Sequence, residues 1–364
     1  TYNTGYVIGQ NKLATLSDTD TTNAVGTELV TNGTFASNTT GWAGVSGTIA
    51  IASSQLQLTG GGTSTTVAYA QQTFATTVGK AYTVSVDFIS VSGGTNRYVY
   101  IGTSTSGANR FNIVQLANAQ VVVGTNTFTF VAQSTSSLIS LGTYESQVAV
   151  WDNVTVRLAE QDRSYYGKGL QVFGTVTKTA VATGADLVGY SGWSLSNYLE
   201  QSYNGDLDFG TGGYNISVWV NRDSGTGLRY VYCRGTADAT ETIRLGIRDS
   251  GIYFDYGNGA AYTMTNLTVP SAVWIHISCN VTAGGKGRVY LNGVEQTYSV
   301  NNVAPSPLMN ATTYTSLIGR HYDNSSGIVF SGDIALLRVS GTIPSDEQIA
   351  KMYNDEKHLF QTNA

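Results

Sequence analysis

Two stretches of this sequence determine how the chain folds, Ala149-Val150-Trp151-Asp152-Asn153-Val154-Thr155-Val156-Arg157 and Phe330-Ser331-Gly332-Asp333-Ile334-Ala335-Leu336-Leu337-Arg338-Val339. Each is typical of the last strand of a β-sandwich, because apolar residues alternate or run almost continuously and an Arg stands near the end. Each also follows a length of chain that suits one domain, about 100 to 200 residues. We therefore predict two antiparallel β-sandwiches, or jelly rolls, in tandem.

The composition supports an all-β class. The 364 residues include 42 Gly, 23 Tyr and only 4 Pro, and 12% of them are charged. Gly and Asn favour tight turns, while Thr and Tyr suit pleated surfaces. The net charge of −5, without a cluster of Lys or Arg, argues against nucleic acid as a partner. The sequence has no run of 18 apolar residues, so we expect no membrane insertion.

The chain divides into an N-terminal segment, two domains and a short junction. Residues 1–25 show little apolar periodicity and are predicted to form an extended docking arm or connector, with a floppy terminus as the alternative. Residues 26–158 hold regular short strands between Gly-rich turns and are predicted to form the first sandwich. A charged junction follows at 159–164, and residues 165–364 are predicted to form the second sandwich.

A short helix over residues 345–357 is predicted to close the second sandwich. Ser345 and Gln348 have the spacing of a capping box, which satisfies backbone N–H groups at the start of a helix. A one-sided apolar stripe consists of Ile349, Met352 and Tyr353. We expect this helix to cover one end of the sandwich.

The first domain resembles the jelly rolls of the carbohydrate-binding modules found on xylanases and glucanases. The resemblance rests on Glu28-Leu29-Val30-Thr31-Asn32-Gly33-Thr34-Phe35, Gly41-Trp42, Gly79-Lys80-Ala81-Tyr82-Thr83-Val84-Ser85-Val86 and Asp152-Asn153-Val154. It implies a jelly roll that binds carbohydrate. Members often carry an acidic residue after the Phe and a structural calcium ion, whereas this chain has Ala36. This departure removes one expected ligand of that calcium site, to which Asp152 could still contribute another.

The second domain resembles concanavalin A-like lectin and laminin-G-like domains in the order and spacing of its motifs. These are Tyr214-Asn215-Ile216-Ser217-Val218-Trp219-Val220, Trp274-Ile275-His276-Ile277-Ser278, Arg288-Val289-Tyr290-Leu291-Asn292-Gly293, Leu317-Ile318-Gly319-Arg320 and Phe330-Ser331-Gly332-Asp333-Ile334. The resemblance implies a lectin-like sandwich, and the closing helix recurs at the end of laminin-G-like domains. In many relatives an Asp follows the Ile of the last motif, where this chain has Ala335.

The junction and parts of the second domain are similar to tail-fibre-like virion proteins of tailed bacteriophages. The similar segments are Leu158-Ala159-Glu160-Gln161-Asp162-Arg163-Ser164, Gly169-Leu170-Gln171-Val172-Phe173-Gly174-Thr175-Val176-Thr177-Lys178, Tyr198-Leu199-Glu200-Gln201 and Asp206-Leu207-Asp208-Phe209-Gly210-Thr211-Gly212. This similarity implies attachment to a virion, with other virion proteins as partners. It also implies a homotrimer.

The sequence carries no recognisable catalytic motif, and we predict that the protein is not an enzyme. His276 lies on a strand in phase with the face opposite to the apolar one, which indicates a surface or inter-sheet residue rather than a base. The nearest carboxylate pair is Asp206-x-Asp208, about 7 Å apart if the backbone is extended. Such a pair could serve as acid and nucleophile or bind calcium. We favour a solvated strand end, with calcium ahead of catalysis.

Sugar binding requires flat aromatic faces with hydrogen-bonding groups beside them. In the first domain, Tyr98 and Tyr100 share one strand face, and Tyr69 lies on another strand. These three residues are the candidate glycan contacts of that domain. The alternative is packing under a loop or against a neighbouring subunit.

The second domain has its own candidates in a polar, aromatic loop between two strands, a common place for ligand sites. The loop candidates are Arg320, His321, Tyr322 and Asp323. Two further same-face pairs are Tyr230 with Tyr232 and Tyr253 with Asp255. Packing is again the alternative.

The two cysteines, Cys233 and Cys279, both lie in strand phases that point inward. We interpret them as free core thiols, with a disulfide as the alternative.

Together these observations predict a non-enzymatic virion protein of a tailed bacteriophage, located at the virion surface as a tail fibre or other appendage. It would attach to the particle and bind host surface polysaccharide, with weak single contacts strengthened by multivalency. One alternative is a head-decoration or tail structural protein that binds only other virion proteins. Another is a secreted glycan-binding or glycan-processing protein. Calcium, with Asp152, Asp206 and Asp208 as candidate ligands, is the one cofactor considered.

Overall fold

Two compact units make up the chain in a computed structural model that describes residues 10–14, 20–61, 66–105, 107–160, 164, 168–182, 185, 187–235, 243–257, 261–308, 314–322 and 328–360. The inserted unit is Gly26–Ala159, and the outer unit combines Thr1–Val25 with Glu160–Ala364. Both units are built from short strands that pair in an antiparallel manner, and one α-helix lies near the C-terminal end. The predicted all-β class is confirmed.

The inserted unit consists of two antiparallel sheets. Two short strands precede it, β1 (Asn11–Ala14) and β2 (Ala24–Gly26). Its described strands are β3 (Ala43–Val45), β4 (Gly47–Ala52), β5 (Gln55–Gly60), β6 (Val67–Ala75), β7 (Ala81–Ser92), β8 (Tyr98–Gly102), β9 (Val114–Ala117), β10 (Gly124–Val131), β11 (Ser136–Tyr144) and β12 (Val148–Glu160). One sheet has the order β4-β5-β12-β7-β10, and the other has the order β3-β6-β11-β8-β9. Short 3₁₀ turns lie at Gly107–Arg110 and Asn118–Gln120.

The closing strand β12 supplies much of the core between these sheets. Trp151 is fully buried and its ring lies 4.9 Å from that of Phe88 on β7. Asn153 has a φ of 48°, and the register with β7 shifts between Asp152 and Thr155. A bulge of this kind moves the following side chains to the other phase, so Val154 turns inward as well.

The outer unit also consists of two sheets. Its described strands are β13 (Leu170–Ala180), β14 (Val188–Ser191), β15 (Tyr198–Gln201), β16 (Gly213–Arg222), β17 (Arg229–Arg234), β18 (Ile243–Arg248), β19 (Gly251–Gly257), β20 (Ala261–Thr265), β21 (Trp274–Thr282), β22 (Arg288–Leu291), β23 (Val294–Glu295), β24 (Tyr298–Asn301), β25 (Ser316–Ile318) and β26 (Gly332–Ser340). In the first sheet, β26 pairs with β1 and β14 on one side and with β16 on the other, followed by β21, β22 and β23. The second sheet has the order β13-β15-β25-β17-β18-β19-β20-β24.

The apolar alternation of β16 accounts for the core of the outer unit. Ile216, Val218 and Val220 are all buried, as their period of two predicts. Tyr214 on the same strand makes an edge contact with Phe254 on β19 at 5.8 Å, which joins the two sheets. β13 takes part in both sheets, because residues 171–173 pair with β15 and residues 177–180 pair with β14.

The closing helix α1 (Asp346–Glu356) begins as predicted, with Ser345 and Gln348 in a reciprocal capping box. It covers the outer face of the first sheet and not an end of the sandwich. The reason is Trp219, which points outward from β16 and stacks on Phe360 at 4.2 Å. A 3₁₀ turn follows at Lys357–Leu359. Of the helices that the structure describes, none has the length and apolar character to cross a bilayer.

Residues 11–14, which lie within the predicted docking arm, form a strand of the outer unit. Asn11 pairs with Ser340 and Ala14 with Arg338 on β26. Leu13 is fully buried, so its apolar side chain explains why this segment joins the sheet. A docking role for residues 1–25 stays a prediction.

Candidate functional site

The three candidate tyrosines of the inserted unit lie together on the outer face of one sheet. Tyr100 lies 5.9 Å from Tyr69 and 5.6 Å from Tyr98, between ring centroids. β6 and β8 bring them together because both strands pair with β11. Only 6%, 7% and 4% of Tyr69, Tyr98 and Tyr100 are exposed, so in this conformation they offer no ring face to a sugar.

Two side chains from the connection between β8 and β9 cover these tyrosines. The Arg110 guanidinium lies 4.5 Å from the ring centroid of Tyr69, and Phe111 lies 5.4 Å from Tyr100. Arg110 is held there by a hydrogen bond from Nη2 to the Thr105 carbonyl oxygen at 2.5 Å. Burial raises the pKa of both Tyr69 and Tyr100. Sugar stacking here would require Arg110 and Phe111 to move, and a glycan role for the tyrosines stays a prediction.

The carboxylates considered for calcium or catalysis each have a protein partner. Asp206 binds Lys168 at 2.8 Å, and Asp208 binds Arg234 at 2.7 Å. Residues Gly205–Leu207 form a 3₁₀ turn. The backbone between Asp206 and Asp208 is therefore not extended, which the predicted separation of about 7 Å required. The fully buried Arg234 also donates to the Leu207 carbonyl oxygen at 2.7 Å, which fixes the turn.

Asp152 belongs to the inserted unit and accepts a hydrogen bond from the backbone N–H of Asn153 at 2.8 Å. Across the described ranges, no group of three or more His, Cys, Asp or Glu is placed to hold a metal ion. Calcium binding by Asp152, Asp206 or Asp208 stays a prediction.

The loop candidates of the outer unit form part of a larger surface. His321 packs against Tyr322 at 3.8 Å and against Tyr230 of β17 at 4.5 Å, between ring centroids. The Arg320 guanidinium lies 4.4 Å from the ring centroid of Tyr198 on β15. Asp323 lies outside the described residues.

This surface continues across the second sheet in both directions. On one side Tyr198 stacks on Phe173 of β13, with 4.5 Å between centroids and 5° between planes. On the other side Tyr253 of β19 contacts Tyr230 at 6.4 Å and Tyr262 of β20 at 4.9 Å. We call this group the aromatic band; it consists of Phe173, Tyr198, Tyr230, Arg244, Tyr253, Tyr262, Arg320, His321 and Tyr322. Tyr230, Arg320 and His321 are buried within it, and the other six side chains are half-buried and form its surface.

A β-bulge in β17 decides which tyrosine joins the aromatic band. The register with β18 shifts between Tyr230 and Tyr232, so the two rings do not share a face as predicted. Tyr232 is fully buried and contacts Ser316 through its hydroxyl group at 3.0 Å. Tyr230 lies on the outer face above Gly246, where an added Cβ would meet the Tyr230 ring at 3.1 Å.

Arg244 provides the charge at the centre of the aromatic band. Its guanidinium forms an ion pair with the buried Asp255, with an Nε–Oδ2 distance of 2.8 Å. Its Nη1 donates to the Tyr322 hydroxyl oxygen at 3.1 Å, and the Tyr253 hydroxyl donates to Asp255 at 3.3 Å. The predicted pair of Tyr253 and Asp255 therefore forms one hydrogen-bonded group.

Burial and positive charge set the protonation of the aromatic band. Burial, followed by the charges of Arg244 and Arg320, lowers the pKa of His321 to about 4. Burial raises the pKa of Tyr230 to about 12. At neutral pH the His321 imidazole is therefore uncharged and the Tyr230 phenol keeps its proton.

Four members of the aromatic band were not predicted from the sequence: Phe173, Tyr198, Arg244 and Tyr262. Tyr198 could have been found, because it alternates with the buried Leu199 and so must face away from the core. Arg244 could not, since its place depends on pairing with β17 and β19.

Two other polar groups proved to be internal. His276 is fully buried, because α1 covers the face that the alternation assigned to solvent; its Nε2 lies 2.8 Å from the Ser217 hydroxyl oxygen. Cys233 and Cys279 are both buried and free, which confirms their interpretation as thiols. Cys233 lies beneath the aromatic band with Tyr230, because the bulge moves it out of the core phase.

Comparison with known proteins supports the lectin-like fold of the outer unit. Residues 196–350 match a family model described as the concanavalin A-like lectin/glucanases superfamily. This match covers the strands that carry most of the aromatic band. No curated protein sequence matches the chain.

Three of the solved structures that are similar to this chain are a toxin binding domain, a domain of an arabinanase and a pentraxin. The binding domain of Paraclostridial Mosquitocidal Protein 1 is 14% identical, with a TM-score of 0.42 over 53% of this chain and 49% of that chain. Domain 4 of AbnA, a GH43 extracellular arabinanase from Geobacillus stearothermophilus solved with arabinotriose, is 15% identical, with a TM-score of 0.37 over 50% of this chain and 82% of that chain. A pentraxin from Limulus polyphemus is 16% identical, with a TM-score of 0.32 over 39% and 70%. The present chain thus spans about half the length of the first of these.

Proposed function

We propose that this chain is a non-enzymatic glycan-binding protein of a phage virion, a fibre or other surface appendage that binds host surface polysaccharide. The observation that carries the proposal is the aromatic band. Half-buried rings such as Tyr198, Tyr253 and Tyr322 combine apolar faces with polar tips, and Arg244 supplies hydrogen-bond donors among them. Rings with a few fixed polar groups are the usual lining of a small-ligand site.

The carboxylates support a binding role over a catalytic one. Asp208 is engaged by the buried Arg234, and Asp206 by Lys168. The hydrogen-bonded pair of Ser217 and His276 lies beneath α1, away from solvent. The carboxylate that lies among the residues of the aromatic band, Asp255, is fully buried and forms an ion pair with Arg244, so it is engaged by a protein partner as well.

The virion part of the proposal rests on the similarity of the junction and second domain to tail-fibre-like proteins. Such a protein would be attached through other virion proteins and would act as a homotrimer at the virion surface. Several copies on one particle would then raise the avidity of individually weak sites. Sedimentation analysis tests the assembly: we expect a mass of three 38.6 kDa chains, and a monomer contradicts the homotrimer.

Cell binding tests glycan recognition. Labelled protein is added to a panel of intact bacterial cells, with polysaccharide extracted from the same cells as competitor. We expect competed binding that is lost in Tyr322→Ala and kept in Tyr203→Ala, since Tyr203 is 40% exposed but lies outside the aromatic band. If the protein does not bind even when presented multivalently, recognition is contradicted, and a head-decoration or tail structural protein becomes the better account.

A further inference from the structure

We infer that the aromatic band binds an internal segment of a linear polysaccharide, which lies across the strands of the second sheet, and not a terminal sugar. This inference rests on the proposed function and adds the class of ligand to it. It follows from three properties of the band: its continuity, its direction and its length.

The band is continuous from one side of the sheet to the other. Phe173 contacts Tyr198, and the Arg320 guanidinium lies over the same Tyr198 ring. His321, the next residue, contacts Tyr230; Arg320, His321 and Tyr230 are buried and support the half-buried rings on either side of them. From there the contacts pass through Tyr253 to Tyr262, which completes the row. A terminal sugar would cover the half-buried rings on one side of Tyr230 only and leave those on the other side without a sugar contact.

The direction of the band is across the strands. Its members come from β13, β15, β17, β18, β19 and β20 and from the residues directly after β25, and these seven strands are neighbours in one sheet. Adjacent strands lie about 4.8 Å apart, so the row extends for about 30 Å. This is the length of several linked sugar rings.

Hydrogen-bonding groups occur along the row and not at one point. Arg320 lies near one end, and its Nη1 is fixed by the Leu195 carbonyl oxygen at 2.7 Å. The group formed by Arg244, Asp255 and Tyr322 lies near the middle. Polar contacts spaced along a row of rings suit a repeating ligand, whose hydroxyl groups recur with each sugar.

A chain-length series tests the inference. The competing cell polysaccharide is partly hydrolysed and fractionated by size, and its oligomers are titrated calorimetrically beside cellobiose to cellohexaose, xylobiose to xylohexaose and oligomers of alginate. We expect the affinity for the recognised polysaccharide to rise over several added sugars. Reduction of the terminal sugar to its alditol should not change the affinity of the longer oligomers.

Variants at two places in the row sharpen the test. Tyr322→Ala, near the middle, should weaken binding of every oligomer roughly fivefold or more, as loss of a central aromatic contact does. Tyr262→Ala, at one end, should weaken only the longer oligomers by a similar factor. Tyr203→Ala is the control, because Tyr203 lies outside the band, and Tyr262→Phe shows whether the ring or its hydroxyl group makes the contact.

The possible results separate the inference from the proposed function. Affinity that reaches its maximum with a disaccharide, or that depends on an unmodified terminal sugar, overturns the internal-segment inference and leaves glycan binding intact. Equal effects of Tyr262→Ala on short and long oligomers also overturn it. If no oligomer, polysaccharide or cell binds, the proposed function itself fails.

Discussion

At the scale of single residues, the most informative group is the buried charge beneath α1. Glu356 accepts hydrogen bonds from Arg338 at 2.6 Å and from the Trp219 indole N–H at 2.8 Å. All three side chains are buried. A buried carboxylate and guanidinium compensate each other's lost hydration only while both are present. The last turn of the helix is therefore tied to the sheet by charge as well as by apolar contacts.

Replacing Glu356 should separate this buried pair from the surface pair on the same helix. We expect Glu356→Ala to lower the free energy of unfolding by about 3–5 kcal/mol, because Arg338 would remain buried without its partner. Asp355→Ala breaks the exposed contact with Lys351 and should cost about 0.5 kcal/mol or less. Urea unfolding of both variants measures the difference, and similar small losses would contradict a structural role for the buried pair.

His276 should make the outer unit sensitive to acid. Burial lowers the pKa of its imidazole to about 4, and its Nδ1 has no hydrogen-bond partner among the described residues. Since the unfolded chain takes up this proton at higher pH than the folded one, stability should fall as the pH drops from about 6.5 to about 4. The loss should reach roughly 3 kcal/mol.

The measurement compares wild-type protein with His276→Gln. Unfolding free energies are determined at several pH values between 7 and 4. The variant should lose less stability over this range, because other titrating groups are common to both proteins. Parallel pH profiles would show that His276 does not contribute.

At the scale of elements, each unit has a glycine beneath the tyrosine rings of its outer sheet face. Gly142 lies in β11 between Tyr69 and Tyr98, and a Cβ there would meet the Tyr69 ring at 3.1 Å and Tyr98 at 3.2 Å. Gly246 has the same relation to Tyr230. Neither glycine has a positive φ, so these positions need glycine for space and not for backbone conformation.

Filling the space at Gly246 should disturb the aromatic band. In Gly246→Ala the new methyl group would meet Leu228 Cδ1 at 2.9 Å and displace the Tyr230 ring. We expect a loss of about 1–3 kcal/mol in unfolding free energy, together with weaker glycan binding. Gly341→Ala is the control, since its added Cβ would have its nearest contact at an ordinary 3.5 Å. Equal behaviour of the two variants would mean that Tyr230 adapts without cost.

The sequence allowed the elements to be predicted better than the site. Alternation was enough for β16, and local hydrogen-bonding chemistry was enough for the start of α1 at Ser345. Two features were beyond its reach. The bulge in β17 separates Tyr230 from Tyr232, and the covering of Tyr69 by Arg110 depends on how a loop folds back over a sheet. Both depend on tertiary contacts, which the alternation of residues along a single strand does not report.

At the scale of the whole molecule, the outer unit is interrupted in sequence by the inserted unit. Its strand β1 comes before the insertion, and β26, with which β1 pairs, comes after it. The outer unit therefore completes its first sheet only when residues more than 300 positions apart meet. Such pairing is entropically costly and slow to form, so its apolar contacts must repay the cost of loop closure.

Leu13 should thus matter more than its N-terminal position suggests. We expect Leu13→Ala to lower the unfolding free energy by about 2–5 kcal/mol, because the side chain is fully buried. Val25→Ala, which truncates a residue that is 51% exposed, should change it by about 0.5 kcal/mol or less. Thermal unfolding measures both, and a negligible effect of Leu13→Ala would show that β1 is dispensable.

The pairing of β1 with β26 also determines how the molecule would respond to mechanical load. Because the strands are antiparallel, Asn11 lies opposite Ser340, so the start of one strand adjoins the end of the other. Tension between residue 10 and α1 would open this pair one hydrogen bond at a time, as a zipper opens, and not in shear. While the pair holds, force passes directly from β1 to β26 and bypasses the inserted unit. Once it parts, the load passes to the pairing of β2 with β13, so the inserted unit is loaded only after both pairings have opened.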